Sequence, residues 1–126
     1  MTQVEKIPIS VRTLDEFAIP NVGFLKIDVE GLELDVLEGA IKTISRDRPA
    51  MLIEIEQRYH PERSITDIFD RLGALGYRGY FVLNRRLHSI AHFDVHRMQT
   101  ALHDSSPDYV NNFLFLTREL RSGRRF

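Results

Sequence analysis

The run from Phe24 to Gly39, FLKIDVEGLELDVLEG, constrains this chain more than any other stretch. Apolar-leaning positions lead into an acidic corner, Asp28-Val29-Glu30-Gly31, and a helical pattern starts almost at once. That order reads as a strand feeding a helix through a very short turn. It sets carboxylates at the strand's C-terminal end, where open α/β sheets bind ligands. Side chains two apart on a strand share a face, so Lys26 and Asp28 point together, away from Leu25, Ile27 and Val29. Charged groups are seldom buried without partners. Either these two pair inside the fold or they line a cleft.

From about Leu32 the apolar period becomes helical. Leu34, Leu37, Ala40, Ile41 and Ile44 take one side, and Glu33, Asp35, Glu38 and Lys42 the other. Acids in the first turn and Arg46 and Arg48 at the end suit the helix dipole, and Pro49 ends the segment. Met51 to Ile55 is nearly continuous in apolar residues, as a parallel strand covered on both faces should be. Ile65, Ile68, Phe69, Leu72 and Leu75 mark another helix, with Ser64 and Thr66 as candidate caps and Gly76 placed for a left-handed ending. Tyr80 to Leu83 and Asn112 to Thr117 read as later strands. Asn84 to Val110 reads as mostly loop with one short helix. Upstream, Ile7 to Arg12 alternates apolar and polar residues and reads as a strand. A helical turn follows, capped by Thr13 with Glu16 three residues on, and Ile19-Pro20 stops it. The expected fold is a single α/β domain over residues 1–126. Its sheet is expected to be mainly parallel, with about five strands and right-handed crossovers.

Composition narrows the function classes. A net charge of −1 gives no global field for nucleic acid or an anionic membrane. Arg118, Arg121, Arg124 and Arg125 read as a solvated tail, since no aromatic residues interleave with them. No apolar run approaches the ~20 residues of a membrane span. The N-terminus lacks the layout of a signal peptide, so the expected compartment is cytoplasmic. Cysteine is absent, which excludes disulfides, thiolate zinc sites and a cysteine nucleophile. There is no G-x-G-x-x-G, Walker A or G-x-S-x-G pattern, and hydrolase and phosphoryl-transfer readings have no support.

Several residues are candidates for chemistry, each with a plainer alternative. Asp28 and Glu30 either project into the crevice above the sheet or accept backbone N–H groups at the helix start. Gly31 supplies a turn conformation with positive φ. Glu54 approaches Asp28 if their strands are neighbours, and paired carboxylates raise one pKa and hold a proton or a divalent cation. Alternatively, Glu54 pairs with Lys26 or an arginine. Asp15 faces the same crevice or caps a helix. His60 sits in a loop at the C-terminal side of the sheet, placed for chemistry or simply on the surface. His88, His92 and His96 recur every four residues and would share a helix face. Their segment lacks an apolar stripe, and no metal is expected.

Taken together, these pieces resemble the FkbM-type S-adenosylmethionine-dependent methyltransferases. The matching residues are Val11-Arg12-Thr13-Leu14-Asp15, the Leu25-Lys26-Ile27-Asp28-Val29-Glu30-Gly31 run with Glu33 and Val36-Leu37-Glu38-Gly39, the Ile53-Glu54-Ile55 strand, and Asn111-Asn112-Phe113-Leu114-Phe115. The resemblance implies a Rossmann-like methyltransferase fold with an antiparallel last strand. It also implies S-adenosylmethionine as cofactor and O-methylation of a small molecule or sugar. On that basis Asp28, Glu30, Glu54 and His60 are expected around the reacting groups, with Asp15 and Asp28 on the cofactor side. The family's glycine-rich cofactor loop has no counterpart here, so the chain is expected to be the C-terminal half of the domain, as in a truncated product. The strand holding Lys26 would then have an exposed, apolar edge, a template for association. Either Ile7 to Arg12 covers that edge or two copies dimerise there. The alternative function is a non-catalytic module acting by dimerisation or partner binding.

Overall fold

Among the described residues there are five strands and three short α-helices, four of the strands where the patterns above place them. A computed structural model describes residues 4–119. The central corner runs from strand β1 (Phe24–Ile27) through a tight turn into helix α1 (Glu33–Glu38). Both Glu30 (φ 49°) and Gly31 (φ 108°) have left-handed backbones in that turn. A Cβ on Gly31 would lie 2.9 Å from the carbonyl oxygen of Tyr59, so the position needs glycine on both counts. The expected single helix after the turn is two. α1 stops at Gly39, and α2 (Ile41–Asp47) restarts behind it. Strand β2 (Ala50–Glu54), helix α3 (Thr66–Ala74) and strand β3 (Arg78–Leu83) follow, and Gly76 (φ 87°) turns the chain after α3 as expected.

The segment expected to be mostly loop contains strand β4 (Arg86–Ser89), a 3₁₀ turn at Ile90–His92 and a π-helical turn at His96–Thr100. β4 pairs with β3 through a two-residue hairpin. Its loop residues, Asn84 and Arg85, both have positive φ, as hairpin turns that follow the strand twist require. The last strand, β5 (Asn112–Leu116), closes the sheet.

The strand order is β1-β2-β5-β3-β4. Only β1 and β2 pair in parallel; β5 runs antiparallel to both β2 and β3, and β4 antiparallel to β3. The expectation of a mainly parallel sheet is therefore corrected to a mixed one. β1, β2 and β3 do share a direction, but β5 inserts between β2 and β3 and takes their edges. A second correction concerns residues 7–12, which form no strand and leave Ile7, Ile9 and Val11 exposed. They do not cover β1, which lies at the sheet's edge.

One face of the sheet carries the core. Ile27, Met51, Ile53, Phe113 and Phe115 meet Leu37 of α1, Ile44 of α2, and Ile68, Phe69 and Leu72 of α3. The Phe69 and Phe113 rings pack at 4.9 Å, as do Phe93 and Phe113. Burying an aliphatic or aromatic side chain of this kind stabilises by roughly 1.5–3 kcal/mol, so this layer holds the sheet to its helices. The opposite face is more open, with Phe24 and Val82 exposed and Leu52 and Leu114 half-buried. Lys26, Asp28 and Glu54 follow the period of this open face. No described helix is long and apolar enough to cross a membrane. Arg118 is exposed, while Arg121, Arg124 and Arg125 of the expected basic tail lie outside the described residues.

Candidate functional site

The parallel pairing of β1 and β2 places their C-terminal ends side by side, with Ile27 opposite Ile53. The next residues are Asp28 and Glu54. Together with Glu30, Glu33, Glu56 and Tyr59 they line a narrow acidic crevice with no room inside for a water molecule. Burial raises the pKa of Glu54, the negative charge of Asp28 raises it further, and Lys26 opposes the shift. Glu54 accepts a hydrogen bond from Asn111 Nδ2 at 3.2 Å. Among the described residues Glu54 makes no ion pair with Lys26 or an arginine, and the negative charge of Asp28 acts on it instead.

Glu33 supplies the floor of this corner. Its carboxylate accepts the Gly31 N–H at 3.0 Å, and His60 Nε2 lies 2.6 Å from its other oxygen. The helical period sets Glu33 on the solvent side, yet it is only 1% exposed. The correction has a local cause. Glu33 is the first residue of α1, where free backbone N–H groups and the helix dipole favour a carboxylate. The left-handed turn just before the helix folds the Gly31 N–H onto it. Neither Asp28 nor Glu30 caps α1; both are exposed.

His60 is neither a surface residue nor open to the crevice. It is buried against Glu33 and joins the loop after β2 to the start of α1. Tyr59, one residue earlier, lines the crevice. Burial raises its phenol pKa, the Arg58 charge opposes, and Glu30 adds to the rise through its charge and a hydrogen bond. Glu56 is buried as well. It accepts the Tyr109 hydroxyl at 2.6 Å and pairs with Arg58 at 3.0 Å. Burial and the Glu56 contact push the Tyr109 phenol up, which keeps it a donor.

Asp15 is elsewhere. Its carboxylate accepts the backbone N–H groups of Lys42 and Thr43 and the Thr43 hydroxyl, at 2.7–3.0 Å, and so caps α2. Partial burial raises its pKa, but these three bonds outweigh that and hold it below the ordinary value. Of the two readings of Asp15, helix capping is the one these three bonds support. His88, His92 and His96 lie on β4 and two separate turns rather than one helix face. Among the described residues no group of three or more His, Asp or Glu side chains is arranged to hold a metal ion.

Glu33 and Glu56 are the residues that periodicity missed. Glu33 stands within the run that carries the resemblance, and that was its one signal. Glu56 shares the strand face of Glu54 but only the distant Tyr109 reveals its burial.

A family model, described as the methyltransferase FkbM domain, matches residues 1–79. That span contains the whole crevice and the His60–Glu33 pair, but neither Tyr109 nor β5. No curated protein and no solved structure matches the sequence. The match extends over more than half of the 126 residues, and the chain belongs to the FkbM methyltransferase domain family.

Proposed function

We propose that this chain forms the acidic wall of a methyltransferase site that uses S-adenosylmethionine to methylate an oxygen of a small molecule or sugar. Members of the family use that donor. The observation that carries the reading is the Asp28–Glu54 pair at the ends of two adjacent parallel strands, with the Glu54 pKa raised by burial and by Asp28. A carboxyl with a raised pKa is a better general base toward a hydroxyl than an ordinary one. The surrounding carboxylates give a field that favours a cation.

The donor's sulfonium suits this wall in charge. The whole donor does not suit it in volume, since the crevice is too narrow even for a water molecule. The described residues therefore provide one side of a donor site and not its enclosure. When bound, the donor supplies the electrophilic methyl group. Asp28 and Glu30 then set the local charge, Glu54 takes the proton of the acceptor hydroxyl, and His60 with Glu33 holds the corner in shape.

Calorimetric titration of S-adenosylmethionine into the purified chain tests the reading. Binding that weakens about tenfold on Asp28→Asn, worth about 1.4 kcal/mol, supports it. No binding at millimolar donor sinks it and leaves a second reading, a non-catalytic module acting through self-association. The edge position of β1 and its exposed first residue, Phe24, favour that second reading.

A further inference from the structure

Strand β1 pairs with β2 on one side and with no described strand on the other. Its register sets Phe24 opposite Ala50, and the Gly23 carbonyl accepts the Ala50 N–H at 3.1 Å. Backbone groups alternate in direction along a strand, so those of Leu25 and Ile27 also turn toward β2. Those of Phe24 and Lys26 turn to the open edge. Such an edge is a template for a further strand.

The same chain carries a segment that suits this edge and does not lie on it. Residues 4–12 are all exposed, with Ile7, Ile9 and Val11 at 73–85%. Alternating β-branched residues favour a strand that buries one side. The structure holds the root of the segment at the start of α2. There the Asp15 carboxylate caps the helix, and the Asp15 N–H donates to the Gly39 carbonyl at 2.9 Å.

Residue parity selects one way of pairing. Pro8 has no N–H, so it must face away from the edge it joins. Ser10 and Arg12 share that direction, and the N–H and C=O groups of Ile9 and Val11 face the edge. In a parallel register, with Ile9 beside Leu25 and Val11 beside Ile27, these groups meet those of Phe24, Lys26 and Asp28. The two apolar side chains then extend the core face, to which Leu25 and Ile27 belong. Arg12 falls beside Asp28, at the rim of the acidic crevice, with charges matched. An antiparallel register would set Ile9 and Val11 beside Lys26 on the open face and turn Arg12 to the apolar one, at a desolvation cost. Arg12 can leave its present contacts easily. Glu16 at 3.8 Å and the Phe17 ring at 4.7 Å are both exposed, and exposed ion pairs contribute little.

We propose that residues 7–12 of one copy add to β1 of a second copy as a parallel edge strand, and that reciprocal exchange makes a dimer. Strand addition to a sheet edge and exchange of an identical element between protomers are both low-cost routes to association. This exchange deepens the self-association reading and is independent of methyl transfer, which the donor titration tests separately.

Sedimentation of the full chain at rising concentration follows the dimer. Ile9→Pro removes an N–H that faces the edge and is expected to abolish it, whereas Ser10→Pro removes only an outward N–H and is expected to leave it intact. Both positions are exposed in the single chain, and unchanged thermal unfolding of the monomer confirms the fold. The chain has no cysteine, which allows a direct test of the register. Chains carrying Ser10→Cys are mixed with chains carrying Lys26→Cys, at positions that adjoin across strands about 4.8 Å apart, within disulfide reach. Mild oxidation is expected to give the mixed cross-linked dimer in excess over either chain linked to itself. A monomer at millimolar chain, equal loss of the dimer in both proline variants, or no mixed cross-link overturns the proposal. A dimer that survives Ile9→Pro overturns it as well, and leaves self-association standing through another surface.

Discussion

His60 Nε2 and Glu33 Oε2 lie 2.6 Å apart, with both side chains buried, and this contact joins the loop after β2 to the first turn of α1. The other oxygen of Glu33 takes the Gly31 N–H, so one carboxylate fixes both the turn and the loop that flank the crevice. Removing one partner of a buried polar pair leaves the other desolvated without compensation. Glu33→Ala is expected to destabilise the fold by about 3 kcal/mol in urea unfolding. Glu33→Gln, which can still accept the Gly31 N–H, is expected to cost clearly less. Equal midpoints for the native protein and Glu33→Ala would remove the pair from its structural role.

Glu54 gives a prediction with the opposite sign. Its folded-state pKa is raised, so the folded protein holds a proton that the unfolded chain releases. The neutral carboxyl carries no penalty below the unfolded value, and stability is lost as pH rises through the raised folded value. Glu54→Gln removes the penalty. The variant is expected to be more stable than the native protein at neutral pH, with the gap closing as the pH falls below the ordinary glutamate range. Unfolding curves across that range check it. A residue retained at a cost to stability is what a functional carboxyl looks like.

Asp47 behaves in the reverse way. The Arg46 hydrogen bond and the Val22 N–H lower its pKa to about 2. Its folded value is depressed, so its contribution is complete above the unfolded carboxylate range and disappears as the pH falls toward about 2. Asp47→Asn is expected to flatten the acid limb of the stability profile and leave the neutral region's slope unchanged, as read by circular dichroism.

Asp15 separates capping from ligand contact. Asp15→Ala removes three hydrogen bonds at the start of α2, and is expected to cost about 1 kcal/mol of stability, in line with lost N-terminal caps. Donor affinity, measured on the folded variant, should not change. A selective loss of donor binding would return Asp15 to the site.

Much of this was legible in the chain itself. The β1–turn–α1 corner, β2, α3 and β5 come from apolar periods broken by Gly31, Pro49 and Gly76, all local signals. Strand direction is not local, and nothing in Asn112 to Leu116 says that β5 inserts between β2 and β3. The alternation of Ile7, Ile9 and Val11 promises a strand, but alternation does not say where a strand would pair, and the segment pairs with none of the described strands. The hairpin to β4 was hidden because Asn84-Arg85 lacks the glycine that usually marks such a turn. At the site, Asp28 and Glu54 follow from strand parity alone. Glu33 and His60 do not, because their burial depends on a contact between residues 27 positions apart.

The central claim is that the corner at Asp28 to Glu33, with Glu54 to His60 facing it, is the wall on which the donor lies. Amide chemical shifts of the isotope-labelled chain on addition of S-adenosylmethionine test it most directly. The expected result is a saturable movement of signals from residues 28–33 and 54–60, with those of Lys42 and Thr43 unchanged. Signals that stay still at millimolar donor, or that move only outside these two segments, would contradict the claim.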